Sequence, residues 1–303
     1  MQTESIALGA VEIKNILIAT DFSTESQNAL QYSQTLALHY QSKIHLVHVI
    51  QPVAHDFLSR ARTKIAKEQP RGAAEEKIGR QADELASVPH QIHMVEGQTA
   101  EMIDIVAKEI AADLVVIGTK GAEGVSKLFQ GSTAEEVFRR VSCPVLIISQ
   151  RVPHPGPIAE LRHVLCPTDL ASDERCAVGY AVSVAEKHDA KLTMVHVLGG
   201  VSPLLKADLL SFEKPYVDSM RRLIPSEAKL PSRAQFRIEY WEAVSDAVVF
   251  TARGLAADLI VLSVHPDESC KPRRRDHAYR IIAHAPCPVL TVRELEKPDR
   301  GAR

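Results

Sequence analysis

The sequence predicts two doubly wound α/β domains in tandem, each an open parallel sheet of five strands covered by helices. Three observations carry that expectation. The apolar strands are continuous rather than alternating, the pattern of a sheet buried on both faces. Segments of helical period lie between them. The chain also repeats itself once. KNILIATDFS (Lys14 to Ser23) is answered 148 residues later by RHVLCPTDLA (Arg162 to Ala171), so that Thr20-Asp21 falls on Thr168-Asp169. SKIHLVHVI (Ser42 to Ile50) falls on AKLTMVHVL (Ala190 to Leu198) at the same offset. AADLVVIG (Ala111 to Gly118) answers AADLIVLS (Ala256 to Ser263) at 145, and CPVLIIS (Cys143 to Ser149) answers CPVLTVR (Cys287 to Arg293) at 144. Four blocks in one order, drifting by only four residues, indicate duplication. Between the halves, QRVPHPGPIAE (Gln150 to Glu160) holds three prolines and a glycine and reads as a linker. The domains are therefore residues 1–150 and 151–303.

Taken in order, Ile16 to Ala19 is a short apolar run read as a buried strand. Ser23 can cap a helix carrying Ala29, Tyr32, Leu36 and Tyr40 at helical spacing. Ala177, Tyr180, Val184 and His188 repeat that stripe in the second half. Ile44 to Ile50 is a second strand, and the charged stretch 56–86 is expected to be helical. Ile92 to Val95 is a third strand, after which Thr99 can cap a helix with Ile103, Val106 and Ile110. Leu114 to Ile117 is a fourth strand, Ala134, Val137, Phe138 and Val141 form a helical stripe, and Val145 to Ile148 is the fifth strand.

Composition excludes several classes. A chain of 303 residues and 33.3 kDa is long enough for about two domains. Its 45% hydrophobic and 24% charged residues exclude a largely disordered chain. Thirty-six Lys and Arg against 38 Asp and Glu give a net charge of -2, no footprint for nucleic acid or an anionic membrane. No apolar run approaches the ~18 residues of a membrane span. MQTESIALGAVEIK has no basic n-region, so no signal peptide is expected. Five cysteines without a CxxC pair argue against a disulfide framework and a thiolate zinc site, and a reducing cytoplasm is the expected compartment.

Ligands of such sheets bind beyond the carboxyl ends of the strands, at the switch point. The loop after the first strand, Ala19-Thr20-Asp21-Phe22-Ser23, holds no GxGxxG, and no GxxxxGK[ST] occurs anywhere. After the fourth strand comes GTKGAEGVSKLFQGSTAEEV, with Gly118, Gly121, Gly124 and Gly131. Gly131-Ser132-Thr133 leads into a helix, and Ser132 with Glu135, or Thr133 with Glu136, could close a capping box. A helix N-terminus behind glycine offers free N–H groups to phosphate. From the residues alone, an ordinary glycine-rich loop and a phosphate site both stay open.

Gly118-Thr119-Lys120-Gly121, nine residues, then Gly131-Ser132 reproduces G-x2-G-x9-G-[ST], and in this the chain resembles the universal stress protein family, in its tandem two-domain form. The first strand ending in Asp21, the second ending His48-Val49-Ile50, and Cys143-Pro144-Val145 opening the last strand agree with it. The resemblance covers about residues 13–149 and 161–293 and implies an adenine-nucleotide alpha-hydrolase-like fold. It further implies ATP, with Mg2+ or Mn2+, in the first half. Asp21, beside Ala19 and Thr20, would then bond the adenine edge, and Val49 would contact adenine through its backbone. Gly118 and Gly121 would lie against ribose and phosphate, while Gly131, Ser132 and Thr133 would hold the phosphates. The resemblance also implies an intramolecular pseudo-dimer through the last strands, Val145 to Ile148 and Val289 to Val292, and leaves homo-oligomers open.

The second half keeps Asp169 and Val197 but has Ser263-Val264-His265-Pro266 where the first has Gly118 to Gly121. Arg275-Asp276-His277 stands where Gly131-Ser132-Thr133 stands. This half is expected to be degenerate for triphosphate, with Arg273, Arg274 and Arg275 as a competing anion site. Among 13 histidines, His45 and His48, and likewise His90 and His93, sit three apart in strands and point to opposite faces, so no metal site is expected. Cys143 and Cys287 read as apolar fillers, Tyr240 and Trp241 as packing, and Lys120 and Lys127 as loop cations within reach of phosphate.

No nucleophile–base pair and no paired loop carboxylates are present, so enzymatic activity beyond slow ATP hydrolysis is not expected. The favoured function is an ATP-binding regulatory or stress-response protein. The competing one is a scaffold that binds a protein partner or an apolar ligand without nucleotide. An ATP-using transferase or ligase would need catalytic loops or a substrate domain, for which the repeat leaves no residues.

Overall fold

The computed structural model describes residues 12–51, 63–119, 133–153, 161–170, 175–200, 213–230, 234–264 and 272–293. Each element follows from its residues. NILIA makes β1 (Asn15–Ala19), whose centre, Ile16 to Ile18, is fully buried. Each such side chain contributes about 1.5–3 kcal/mol of burial. Ser23 caps α1 (Thr24–Tyr40) by accepting from the Ser26 N–H at 3.2 Å, with Glu25 in the first turn against the helix dipole. β2 (Lys43–Ile50), α2 (Thr63–Glu84), β3 (His90–Glu96), α3 (Thr99–Glu109), β4 (Leu114–Thr119), α4 (Thr133–Arg140) and β5 (Val145–Ser149) complete the first half.

The second half repeats the order. It holds β6 (His163–Pro167), α5 (Arg175–Lys187), β7 (Lys191–Gly199), α6 (Glu213–Leu223) and β8 (Ala234–Trp241). α7 (Val244–Gly254), β9 (Leu259–Val264), α8 (Pro272–His284) and β10 (Val289–Arg293) follow. The chain divides into two compact units, one spanning Ile13–Gln150 and the other holding the elements after the linker. In the first unit the strand order is β3-β2-β1-β4-β5, and every pair is parallel. In the second it is β8-β7-β6-β9-β10, again parallel. The tandem doubly wound architecture is therefore the one the strand pattern predicts. In each unit the order reverses where the first strand meets the fourth, which makes that junction the switch point.

One helix start differs from expectation. Thr99 is already helical, and the extended Gln98 is the cap, without a side-chain bond. The Thr99 hydroxyl instead accepts from Gln51 Nε2 at 3.3 Å. Thr133 is already helical in α4 and so is not the cap of a box with Glu136, while the alternative cap, Ser132, lies outside the described residues.

Among the described residues six non-glycine residues have positive φ, and they form three matched pairs: Phe22 and Leu170, Gln41 and Asp189, Ala111 and Ala256. Four of them follow helices. Behind Gln41 and Asp189, the N–H groups of Ser42 and Ala190 reach back to Ala37 and Ala185 at 3.0 and 2.8 Å. Behind Ala111 and Ala256, those of Ala112 and Ala257 reach Ala107 and Ala252 at 2.8 and 2.9 Å. These are left-handed helix stops that satisfy the last carbonyls. Next to them, Asp113 Oδ2 accepts from the Lys14 and Asn15 N–H groups at 2.8 and 2.9 Å, and Asp258 Oδ2 from Arg162 and His163 at the same distances. A carboxylate thus ties the start of the first strand to the start of the fourth in both units.

Candidate functional site

Register brings the predicted residues to one edge of the first sheet. Ala19 lies level with Val47 on one side and Ile117 on the other. Two residues on, Asp21 has left β1, while Val49 is next to last in β2 and Thr119 closes β4. Asp21 is exposed; Ala19 and Val49 are half-buried. Thr20 is buried, its N–H donating to Val47 O at 2.9 Å and its hydroxyl 3.2 Å from Ser26 Oγ. Gly118 lies near the end of β4 and Thr133 is exposed at the start of α4. Gly121, Gly131 and Ser132, with Lys120 and Lys127, lie outside the described residues.

The loop after β1 is held in an unusual shape. Phe22 has φ 65°, and its N–H donates to Thr20 Oγ1 at 3.1 Å. A left-handed non-glycine residue costs about 1–2 kcal/mol, which the surrounding bonds offset. His48 Nδ1 donates to Thr20 O at 2.8 Å, and the Phe22 ring packs on the imidazole with centroids 4.3 Å apart. Lys77 Nζ stands 5.5 Å from the Phe22 centroid, a cation–π distance. Asp21 Oδ1 accepts from the Ser23 N–H at 3.0 Å and from the Ser23 hydroxyl. Burial pushes the Asp21 carboxyl up, but the hydrogen bonds from Ser23, with smaller ones from Ser26 and the backbone, outweigh it and hold the pKa below its ordinary value. A carboxylate acceptor, ionised at neutral pH, therefore stands at the switch point.

Gly118 has a structural reason of its own. A Cβ built on it would stand 2.7 Å from Ser26 N and closer still to the Glu25 carbonyl. The first turn of α1 thus rests directly on β4, and that contact needs glycine whatever ligand lies beyond it.

The second unit copies the loop. Thr168 N–H donates to Val195 O at 2.9 Å, Leu170 N–H to Thr168 Oγ1 at 3.0 Å, and His196 Nδ1 to Thr168 O at 2.9 Å. Leu170 shares φ 65°, and Asp169 is exposed. The imidazole partner changes: Tyr216 of α6 stacks on His196 at 5.2 Å and 17°, where Phe22 covers His48 in the first unit.

Sequence reasoning missed one pair. His45 Nδ1 and His93 Nε2 meet at 3.0 Å across β2 and β3, with Asn15 Oδ1 3.4 Å from His45 Nε2. Residues three apart in one strand do face opposite ways; the contact comes from inter-strand register, which no spacing within one strand reveals. Burial, then the charge of Lys43, lowers both pKa values, His45 to about 4. Among the described residues no group of three His, Cys, Asp or Glu side chains could hold a metal ion, and no helix is long and apolar enough to cross a membrane. Burial pushes the Cys143 and Cys287 thiols up to about 12, which keeps them protonated and unreactive.

Two units of the same strand order, each with a polar loop at its switch point, define a tandem protein of the doubly wound α/β class. The profile of the universal stress protein family matches residues 12–149 and 160–293, and the chain belongs to that family. A universal stress protein of Thermus aquaticus is 32% identical over 136 residues, 45% of this chain and 98% of that one. Universal stress protein YxiE of Bacillus subtilis is 29% identical over 149 residues, 44% of this chain and 97% of that one. Across both units, the structure is similar to that of a universal stress protein from Archaeoglobus fulgidus, with a TM-score of 0.66, 18% identity and coverage of 94% and 97%. At that identity the likeness is one of fold.

Proposed function

We propose that the first unit binds ATP at its switch point and that the protein acts as a nucleotide-dependent regulator in a cytoplasmic stress response. The observation that carries this reading is the loop Thr20-Asp21-Phe22. It spends backbone strain to present an ionised carboxylate level with Val49, at the junction of β1 and β4. An acceptor-only carboxylate suits the amino edge of adenine, and the Val49 backbone beside it offers a further polar contact. Ala19 and Thr20 floor the base, Gly118 and Gly121 flank ribose and phosphate, and Gly131, Ser132 and Thr133 receive the phosphates at the start of α4. Mg2+ or Mn2+ would accompany the triphosphate and neutralise its charge.

The test is calorimetry with ATP and GTP on two variants. Gly131→Val places a β-branched side chain where the phosphates approach. It should weaken ATP binding at least tenfold, about 1.4 kcal/mol, with the far-UV spectrum unchanged. Asp21→Ala should narrow the preference for ATP over GTP while phosphate contacts persist. ATP binding by Gly131→Val at wild-type strength, or full base selectivity in Asp21→Ala, would overturn the assignment.

A further inference from the structure

The helix pair α3–α4 of the first unit and its counterpart α7–α8 carry different charge at matched positions. In the first unit the cations are paired within their own helices. Lys108 Nζ stands 2.7 Å from Asp104 Oδ2, and Arg139 Nη1 3.8 Å from Glu135 Oε1. Glu136 and Arg140 complete a set of three acids and three bases. At the offsets of the repeat, 145 for α7 and 144 for α8, the second unit has Val249, Arg253, Tyr279, Arg280, Ala283 and His284 at those six positions. All three acids are gone, and two arginines remain.

Arg253 and Arg280 are exposed, and among the described residues neither has an ion-pair partner. α7 packs against α8, and exposed Arg151 belongs to the same compact unit. Their charges gather around one imidazole. Burial, then the charges of Arg151 and Arg280, lowers the His284 pKa, with Asp246 opposing and Arg253 adding. A helix C-terminus favours one cation, which accounts for Arg253 in the last turn of α7 and His284 in that of α8. It does not account for Arg280 or Arg151. Like charges left unpaired at close quarters repel one another.

An aromatic pair adjoins them. Asp246, Phe250 and Arg253 form the exposed stripe of α7. Phe250 is 62% exposed, the most of any large apolar side chain among the described residues, and its counterpart Ile105 is 38% exposed. Its ring lies 5.0 Å from that of Trp241, tilted by 47°. Trp241 closes β8, the outer strand of its sheet. Aromatic residues and arginine are the types that anchor protein interfaces.

We infer that the outer face of α7 and α8, with Trp241, is a docking surface for an acidic polypeptide segment. The segment seats an apolar side chain on Phe250 and Trp241 and pairs its carboxylates with the arginines around His284. Charge complementarity selects this occupant. Arginine pairs carboxylates through two parallel hydrogen bonds. Glu242 and Asp246, both exposed beside the aromatic pair, would repel the unbroken phosphate line of a nucleic acid. A polypeptide can leave a gap in its charge at that place. Nothing in this surface depends on nucleotide in the first unit.

Trp241 is the single tryptophan of the chain, so its fluorescence reports on the surface directly. The probe is a synthetic glutamate-rich peptide with spaced leucines, titrated into the full chain and followed by Trp241 emission and by anisotropy of a labelled copy. Binding should saturate, shift the Trp241 emission and weaken as salt is raised. Arg280→Glu, which restores the acid of the first unit, should weaken it at least about tenfold, and so should Arg253→Glu. Arg222→Glu, the same charge reversal at an exposed position of α6, should leave it unchanged. Phe250→Ser should weaken the leucine-bearing peptide but not an all-glutamate one. These positions are exposed, and the far-UV spectrum of each variant verifies its fold. Absence of saturable binding overturns the proposal, as does equal binding by Arg280→Glu and Arg222→Glu. Tighter binding of inorganic polyphosphate or of an oligonucleotide than of the peptide overturns it too.

Discussion

Gly118→Ala adds a single methyl group at a place where the structure has no room for it. The new Cβ would meet Ser26 N at 2.7 Å, against 3.4 Å or more for ordinary contact, and the Glu25 carbonyl is nearer still. These are backbone atoms of the first turn of α1, so no side chain can swing aside. The turn must lift by at least about 0.7 Å, pulling on the Ser23 cap and the buried Thr20–Ser26 contact. Overpacking of this kind costs about 1–3 kcal/mol, and the upper end is expected because the obstacle is rigid. Gly79→Ala is the matched control: the same methyl inside α2 meets nothing within 4 Å and should stabilise by about 0.5–1 kcal/mol. Urea unfolding followed by circular dichroism reads both signs. Hydrogen exchange resolved over peptides should speed up in α1, β1 and β4 for Gly118→Ala. If the two variants moved stability in the same direction, the close packing of α1 on β4 would be wrong, and Gly118 would have to be explained by its ligand alone.

Acid should weaken the first unit through His45. Its folded pKa of about 4 lies below the ordinary 6.5, so the unfolded chain binds the extra proton first. That stability is fully present above pH 6.5 and falls as the pH drops toward 4, by up to about 1.4 kcal/mol per pH unit. Subtracting the pH profile of His45→Gln from that of wild type isolates the effect, and parallel profiles would refute it. Asp113→Ala and Asp258→Ala each strand two strand-end N–H groups. Each should cost about 1–3 kcal/mol in urea unfolding, and the two costs should agree within about 0.5 kcal/mol because the geometry is the same.

The sheet was legible because buried parallel strands announce themselves as unbroken apolar runs. Ile16 to Ala19 and Leu114 to Ile117 sit inside β1 and β4, with ends extended by one or two residues. The strand order was legible only as a class, since pairing depends on contacts far apart in sequence. That limit hid the His45–His93 contact. At the site, Asp21 could be placed just beyond the end of β1, and Val49 within the last residues of β2. The positive φ of Phe22 could not, because phenylalanine carries no signal for a left-handed turn; the bond from its N–H to the Thr20 hydroxyl creates it. The role of α1 at Gly118 was equally hidden, since a glycine needed for packing and one needed for a ligand look alike in a sequence.

The three matched pairs of left-handed residues bear on how the chain can be rebuilt. Gln41 and Asp189, or Phe22 and Leu170, share a backbone bend but almost no chemistry. The bends are therefore interchangeable parts. A segment cut at two of them, such as residues 22–41, can be exchanged for 170–189 with both splice points already at matching φ angles. Chimeras joined there inherit the chain path of either half, whereas joints placed inside β1 or α1 would break a packed interface. Transplants across these joints would move a whole helix and its loop between units as one piece, and so separate what the backbone of each half contributes from what its side chains add.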